Sequence, residues 1–352
     1  MDSRSHPGHP GRPHQSSRPR RLRFWGPAGC VVVLGALVLT PTGIAGAGTR
    51  RVPASQAQPR ISVASPTAKI YPAGSRLRFT FSCTAPSGIA SCSARLAGAG
   101  TKRRVVSGSR VALAKTGSYA LRINARDRHG KSTITMVQFL VERVITWSGY
   151  TWFVRHPGWG GPGPNHWSDS TASARVSGTD LVLSIVRDES GRWTSSEIDN
   201  QRHLGYGTYR WVVASDLSDA DPNQVLGLFT FGGAGPFGDE VDIEASQWGN
   251  PLAPDGSVAV WQNSRTHATQ FTTFTYSNHP PYIAQFIWSP GRVSFMVTDA
   301  TGTVLLGWTA VGGVPTPSSE VPVINLWRFH EVRPTGVGTV RIASFTWTPL
   351  GG

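Results

Sequence analysis

Glu240-Val241-Asp242-Ile243-Glu244 is a strict alternation of acidic and apolar residues, and it follows the Gly-rich run Phe231-Gly-Gly-Ala-Gly-Pro-Phe-Gly-Asp239. Successive side chains of a β-strand point to opposite faces of the sheet. The three acids therefore share one face, while Val241 and Ile243 enter a core behind them. This stretch predicts a half-buried strand in an all-β domain.

Three acids on one strand face repel one another, and this repulsion raises their carboxyl pKa values. A purely structural strand gains nothing from it. A glycosidase uses such repulsion to keep one carboxyl protonated and its partner ionised. On a flat strand the Cα atoms of Glu240 and Glu244 lie about 13 Å apart, whereas the carboxyls of a retaining pair lie about 5–5.5 Å apart. Long side chains on a curved strand can close that gap. A calcium site is the competing interpretation, because clustered acids also bind hard cations.

The second half of the chain, residues 145–352, consists of short alternating runs without a convincing helical period. Twelve of the thirteen tryptophans lie at or beyond Trp147. The size and the pattern predict one two-sheet jelly roll better than a small barrel. Its aromatic residues fill the core or, on a concave face, stack against sugar rings.

Residues 60–144 also alternate in short runs, such as Leu77-Arg-Phe-Thr-Phe-Ser-Cys83, separated by Gly, Ser and Pro turns. The pattern predicts a smaller β-sandwich. Residues 117–141 resemble the last hairpin of bacterial immunoglobulin-like repeats, so we interpret this part as one immunoglobulin-like module. Cys30 should leave with the N-terminal segment, so an even pair remains, and in an oxidising compartment Cys83 and Cys92 are predicted to form a disulfide. Neither has a second ligand at zinc-like spacing.

The N-terminal residues 1–47 have the pattern of a signal peptide: a basic start, the apolar run Val31-Val-Val-Leu-Gly-Ala-Leu-Val-Leu39 and the small residues Ala45-Gly46-Ala47. A retained N-terminal anchor is the alternative. The polar, Pro-containing residues 48–59 are predicted to be a linker. We therefore expect a secreted, extracellular or cell-wall-associated monomer with no membrane contact after cleavage.

The basic charge of the protein lies in the front of the chain. Residues 48–145 hold 17 Lys and Arg residues and two acids, whereas residues 146–352 hold 11 Arg residues and 17 acids. Residues 48–145 lack the aromatic-plus-basic motifs of nucleic-acid-binding proteins, and we expect the protein to be exported. We therefore predict no nucleic-acid partner. Contact with an anionic cell wall or polysaccharide fits better. A solvated surface without a partner is the alternative.

The run Asp239-Glu-Val-Asp-Ile-Glu244 resembles the catalytic signature of glycoside hydrolase family 16, in the form typical of the bacterial lichenase-like β-glucanase branch. The resemblance extends over roughly residues 147–348. Further segments similar to the family are Ser196–Tyr209, Asn223–Phe231, His279–Pro290 and Val323–Trp327.

This resemblance implies a concanavalin-like jelly roll in which Glu240 is the nucleophile, Asp242 the assisting carboxyl and Glu244 the acid/base. It also implies sugar contacts by Glu197, Asn325 and Trp327. A surface charge at Glu197 and an ordinary core residue at Trp327 are the open alternatives. No cofactor is required, and a structural Ca²⁺ enters by analogy only.

Departures from the family pattern affect the substrate more than the chemistry. Ala245-Ser-Gln247 precede Trp248, and Trp159 stands where a cleft Asn is usual. We place both tryptophans among the substrate contacts. We expect an endo-acting hydrolase of a β-linked polysaccharide, with β-glucan as the first candidate. A non-catalytic carbohydrate-binding jelly roll and a transglycosylase on the same fold are the alternatives.

Overall fold

The computed structural model describes residues 57–233, 237–264, 267–335 and 338–351. The predicted signal peptide and residues 48–56 of the predicted linker lie outside these ranges. Within them, no helix is long and apolar enough to cross a membrane.

The front of the described chain forms nine strands. They are β1 (Arg60–Ser65), β2 (Ile70–Pro72), β3 (Arg76–Arg78), β4 (Thr80–Thr84), β5 (Ile89–Gly98), β6 (Thr101–Val105), β7 (Arg110–Ala112), β8 (Gly117–Asp127) and β9 (Ser132–Trp147).

The following strands complete the chain, with one short 3-10 helix at Phe329–Glu331. They are β10 (Tyr150–Val154), β11 (Gly158–Gly160), β12 (Asn165–Trp167), β13 (Ala174–Ser177), β14 (Asp180–Arg187), β15 (Trp193–Thr194), β16 (Ser196–Asp199), β17 (Gly207–Val213), β18 (Gln224–Gly232), β19 (Asp239–Ala245), β20 (Gly256–Gln262), β21 (Gln270–Phe274), β22 (Tyr282–Ser289), β23 (Arg292–Thr298), β24 (Val304–Val311), β25 (Val321–Arg328) and β26 (Gly338–Pro349).

The front strands enclose a small core of their own. Strands β5, β8 and β9 belong to one sheet, whereas β1 pairs with β4 and β3 pairs with β7. In β8 alternate residues are buried, so Tyr119, Leu121 and Ile123 pack inward while Arg122 and Asn124 point to solvent. The period of two that the sequence displays therefore builds this core directly.

Strand β9 runs from the front sandwich into the second half without a break. Its first part pairs with β8, from Arg126 opposite Ser132 to Gly117 opposite Val141. Its last part pairs with β10, from Val154 opposite Arg143 to Tyr150 opposite Trp147. The predicted boundary between residues 144 and 145 thus falls inside one strand, and the two halves share a continuous sheet.

The second half is a sandwich of two sheets. One has the order β21-β20-β19-β18-β25-β16-β10-β9, and the other has the order β13-β14-β26-β17-β22-β23-β24. A large aromatic and aliphatic core lies between them, with Trp152, Trp211 and Trp288 fully buried. The predicted all-β sandwich class is confirmed. We call the face of the first sheet that points away from this core the carboxylate face.

The predicted disulfide between Cys83 and Cys92 is present in the structure. It joins β4 to β5, which belong to different sheets of the front sandwich. The two cysteines are nine residues apart, so the bond closes a short loop across the small core.

Replacing both cysteines by serine is expected to lower the free energy of unfolding of the front sandwich by about 2–3 kcal/mol. Without the bond, the unfolded chain is no longer held in a closed loop of this length and gains conformational entropy. Hydrogen exchange of peptides from β5 and β8 measures the change. The wild-type protein under reducing conditions is the control and should match the variant. Unchanged protection in the double variant would contradict the expectation.

Candidate active site

Strand β19 carries the acidic run between two antiparallel neighbours, β18 and β20. Val241 and Ile243 are fully buried in the core of the sandwich. Because side chains alternate along a strand, Glu240, Asp242 and Glu244 point to the opposite side, onto the carboxylate face. The structure therefore brings the three acids together on one face of one strand.

Asp242 is the central and most deeply buried of the three, with 2% of its surface exposed. The Trp261 Nε1–H donates a hydrogen bond of 2.9 Å to its Oδ2, while its Oδ1 has no hydrogen-bond partner. Burial raises the pKa of Asp242 to about 7, and the Trp261 hydrogen bond opposes that rise. The carboxyl therefore changes protonation near neutral pH.

Glu240 and Glu244 lie on either side of Asp242 and keep part of their surface exposed. Burial, followed by the charge of Asp242, raises the pKa of both carboxyls well above the ordinary value. Glu197 adds to the effect at Glu240, and Glu240 adds to it at Glu244. Because each of the three carboxyls raises the pKa of its neighbours, they titrate as one coupled group with pKa values above the ordinary range.

A row of cross-strand neighbours leads from Glu244 across the carboxylate face. Glu244 lies opposite Gly227, Gly227 opposite Asn325, and Asn325 opposite Glu197. With neighbouring strands about 4.8 Å apart, Glu197 lies three spacings, or about 14 Å, from Glu244 across the sheet. Strands β19, β18, β25 and β16 thus place two acids and one amide in a line.

Asn325 is almost fully buried, and its amide is oriented by Glu197. Its Nδ2 donates to Glu197 Oε2 at 3.2 Å, which leaves Oδ1 without a partner. That oxygen lies over Gly227, where an added Cβ would approach it to 2.6 Å. Glycine at position 227 therefore leaves room for an unsatisfied carbonyl oxygen between Glu197 and Glu244.

Glu197 is also held from the other side, by Arg155. The Arg155 Nη1 forms an ion pair of 3.1 Å with Glu197 Oε1, and each side chain is 13% exposed. The guanidinium lies 4.1 Å from the ring centre of Trp167. Sequence reasoning missed Arg155 and Trp261. The alternation Thr151, Phe153 along β10, continued by Arg155 directly after the strand, is the signal that could have placed Arg155 on this face.

The three tryptophans predicted to contact sugar differ in exposure. Trp327 is 2% exposed and packs in a cluster with Trp167 and Phe329, so its ring has no free stacking face. Trp248 meets Trp327 edge-on with ring centres 6.0 Å apart and keeps part of its surface exposed. Trp159, on strand β11, is 56% exposed. Trp248 and Trp159 therefore offer the accessible aromatic surface.

Within the described ranges, no group of three or more His, Cys, Asp or Glu side chains is arranged so that it could hold a metal ion. What the arrangement offers chemically is proton exchange among carboxyls that share one face.

The raised pKa of Asp242 makes stability depend on pH. In the folded state Asp242 holds its proton up to about pH 7, whereas the ordinary pKa is 3.8. The stabilisation of the folded state by this proton is therefore complete below pH 3.8 and is lost as pH rises through 7. The free energy of unfolding is expected to fall over that window by up to about 1.4 kcal/mol per pH unit for this one proton. Asp242→Asn should flatten the slope because it removes the titrating carboxyl. Trp261 can still donate to the amide oxygen, so the fold should be kept.

Urea unfolding measured at several pH values between 4 and 8 gives the slope for wild type and Asp242→Asn. Glu189→Gln, which changes an exposed carboxylate outside the site, is the matched control and should keep the wild-type slope. A slope in Asp242→Asn equal to that of wild type would show that Asp242 is ionised throughout the window.

No protein-family profile and no curated protein matches the chain. Several solved structures are similar in fold at low sequence identity. A β-glucanase of Bacillus licheniformis is 16% identical, covering 56% of this chain and 92% of that chain, with a TM-score of 0.46. A glycoside hydrolase family 16 endo-glucanase from Bacteroides ovatus is 11% identical, covering 56% and 94%, with a TM-score of 0.45. A pseudo β-1,3-glucanase of Mycobacterium tuberculosis is 19% identical, covering 55% and 88%, with a TM-score of 0.42.

Proposed function

We propose that this protein is a retaining endo-glycoside hydrolase of a β-linked polysaccharide, with Glu240 as nucleophile, Glu244 as acid/base and Asp242 as the assisting carboxyl. The observation that carries the proposal is the set of three carboxyls on one face of β19, whose pKa values burial and mutual repulsion raise. Such a set keeps one carboxyl protonated while another is ionised, which is the requirement of glycoside cleavage.

In the first step Glu244 donates its proton to the leaving glycosidic oxygen while the Glu240 carboxylate attacks the anomeric carbon. The result is a covalent glycosyl-enzyme and a shortened chain. In the second step Glu244 accepts a proton from water, and the water oxygen replaces Glu240 at the same carbon. Asp242, between the two, takes up or releases a proton as the charge of Glu240 changes.

The row from Glu244 to Glu197 supports binding of a sugar chain beside these carboxyls. Asp242 Oδ1, Asn325 Oδ1 and the Ser257 Oγ on β20, opposite Glu244, are buried without hydrogen-bond partners. Buried polar atoms without partners are rare and call for an explanation such as a bound ligand. Sugar hydroxyls are donors that would satisfy these oxygens.

The proposal extends to location and partners. Residues 1–47 act as a signal peptide that directs export, and the mature protein acts as a monomer outside the cell or at the cell wall. Its basic front attracts anionic wall polymers. The polysaccharide is the substrate, β-glucan is the first candidate, and no cofactor is needed.

Release of reducing ends from a panel of β-1,3-glucan, mixed-linkage β-glucan and β-galactan tests the proposal, with Glu240→Gln as the inactive control. Hydrolysis of one polymer to mixed-length fragments is expected from wild type alone. Equal, background release by both proteins on every polymer would overturn the proposal, and binding without release would indicate a non-catalytic carbohydrate-binding protein. Mass analysis would reveal transglycosylation as products longer than the starting oligosaccharide.

A further inference from the structure

A cavity of about 160 Å³ opens on the carboxylate face at the junction between the front sandwich and the second half. One water needs roughly 10–15 Å³ of such space, so the cavity holds a much larger group. Its polar and aromatic lining includes Glu142, Arg155, His156, Trp159, Glu197 and Asp199. The front sandwich adds an apolar wall through Ile70 and Leu140.

Glu142 is the member of this lining that the front half of the chain supplies from β9. It is 2% exposed, and its Oε1 lies 2.8 Å from His156 Nδ1. Its Oε2 is buried and has no hydrogen-bond partner. Glu142 lines the cavity, and a carboxylate oxygen without a donor is an acceptor that a ligand there can satisfy.

The remaining groups combine further acceptors with an aromatic surface. Burial, then the charges of Glu142 and Glu197, raises the pKa of Asp199 well above its ordinary value. A protonated Asp199 both donates and accepts hydrogen bonds. Trp159 is exposed at the edge of this lining. Several hydroxyl-binding oxygens beside one accessible aromatic ring match a neutral sugar, whereas clustered carboxyls repel phosphate-bearing ligands.

The cavity is continuous with the row that leads to Glu244. Glu197 lines the cavity, and it also binds Arg155 through Oε1 and Asn325 through Oε2. Since Arg143 lies opposite Val154, Glu142 follows on β9 beside Arg155 on the same row. From β19 to β9 the row crosses five strand spacings, or about 24 Å.

We infer that this cavity is a sugar-binding subsite of the same glycan-binding face, and that the front sandwich forms one wall of it through Glu142, Ile70 and Leu140. The inference rests on the proposed function. A glycan whose cleavage point lies at Glu240 and Glu244 and that crosses the strands reaches the cavity only when it is several sugar units long. The front sandwich is then part of the substrate-binding site.

The test measures kcat/KM of the full chain on oligosaccharides of increasing length, prepared from whichever panel polymer wild type cleaves. Trp159→Ala changes an exposed side chain and should keep the fold. It should lower kcat/KM on the longest substrates about tenfold and leave the shortest cleaved substrate unchanged, and Glu142→Gln should show the same pattern. Val311→Ala, an exposed change on β24 of the other sheet, is the control and should match wild type at every length.

Calorimetric binding of the longest oligosaccharide to Glu240→Gln, with and without Trp159→Ala, gives a readout independent of turnover, and about tenfold weaker binding is expected. If the wild type is active, and Trp159→Ala and Glu142→Gln have the wild-type kcat/KM at every substrate length, the subsite is overturned and the proposed function stands. A wild type that neither cleaves nor binds any polymer would overturn both.

Discussion

Glu240→Gln is expected to lower kcat on the polysaccharide by about 10⁴-fold or more and to change binding of the polymer only a few-fold. The amide has the shape of the carboxylate and keeps its hydrogen-bonding oxygen, but it cannot attack the anomeric carbon. Loss of a nucleophile costs this much because the covalent pathway closes entirely. Initial rates of reducing-end release, together with calorimetric affinity, measure both quantities.

The matched control for this substitution is Glu189→Gln, which removes one carboxylate from an exposed loop. It should retain wild-type kcat. Glu240→Gln also removes one of the three carboxyls that raise one another's pKa values, so its melting temperature should equal or exceed that of wild type. Retention of more than a tenth of the wild-type kcat by Glu240→Gln would exclude Glu240 as the nucleophile.

Glu244→Gln is expected to lower kcat on the polysaccharide by about 10²–10⁴-fold, the usual contribution of general acid catalysis. The loss in the glycosylation step should be much smaller on an aryl glycoside with an acidic phenol, because such a leaving group departs without protonation. A pre-steady-state burst of phenol therefore reports the first step, and slow release of the sugar reports the missing base.

The comparison between the two substrates distinguishes the role of Glu244 from that of Glu240. Glu240→Gln should give no burst of phenol from the aryl glycoside and no cleavage of the polymer. Suppose that Glu244→Gln lowers the rate of the first step on the aryl glycoside as much as it lowers the rate on the polymer. That result would contradict a proton-donating role. The same result would favour a purely electrostatic contribution of Glu244.

Local periodicity predicted much of the fold. The alternation around Val241 and Ile243 placed the acids on one face, because a period of two is a property of the strand itself. The even pair Cys83 and Cys92, expected in an exported protein, likewise predicted a disulfide that is present. Both inferences concern residues that are near one another in the chain.

Neighbours that are distant in sequence could not be predicted in the same way. The line from Glu244 through Asn325 and Glu197 to Arg155 depends on the strand order β19-β18-β25-β16-β10. That order follows from the packing of the whole sandwich, not from any one segment. Trp327 illustrates the same limit, since Trp167, which packs in the same cluster, lies far away in the sequence on β12.

The junction between the halves was also beyond sequence reasoning. A strand of 16 residues such as β9 is about three times the usual length, so the sequence favours a boundary where the structure has continuous pairing. In the sequence, Glu142 is one of two acids in a basic segment, and no motif marks it as part of a site. Its burial beside His156 becomes evident when β9 and β10 are paired.

Covalent trapping of the glycosyl-enzyme tests the central claim most directly. A 2-fluoro glycoside with a good leaving group slows the second step, so the intermediate accumulates and its peptides can be analysed by mass spectrometry. One glycosyl unit is expected on the carboxylate of Glu240, with none in Glu240→Gln. Attachment to a different residue, or turnover that yields the inverted anomer without any attachment, would contradict the claim.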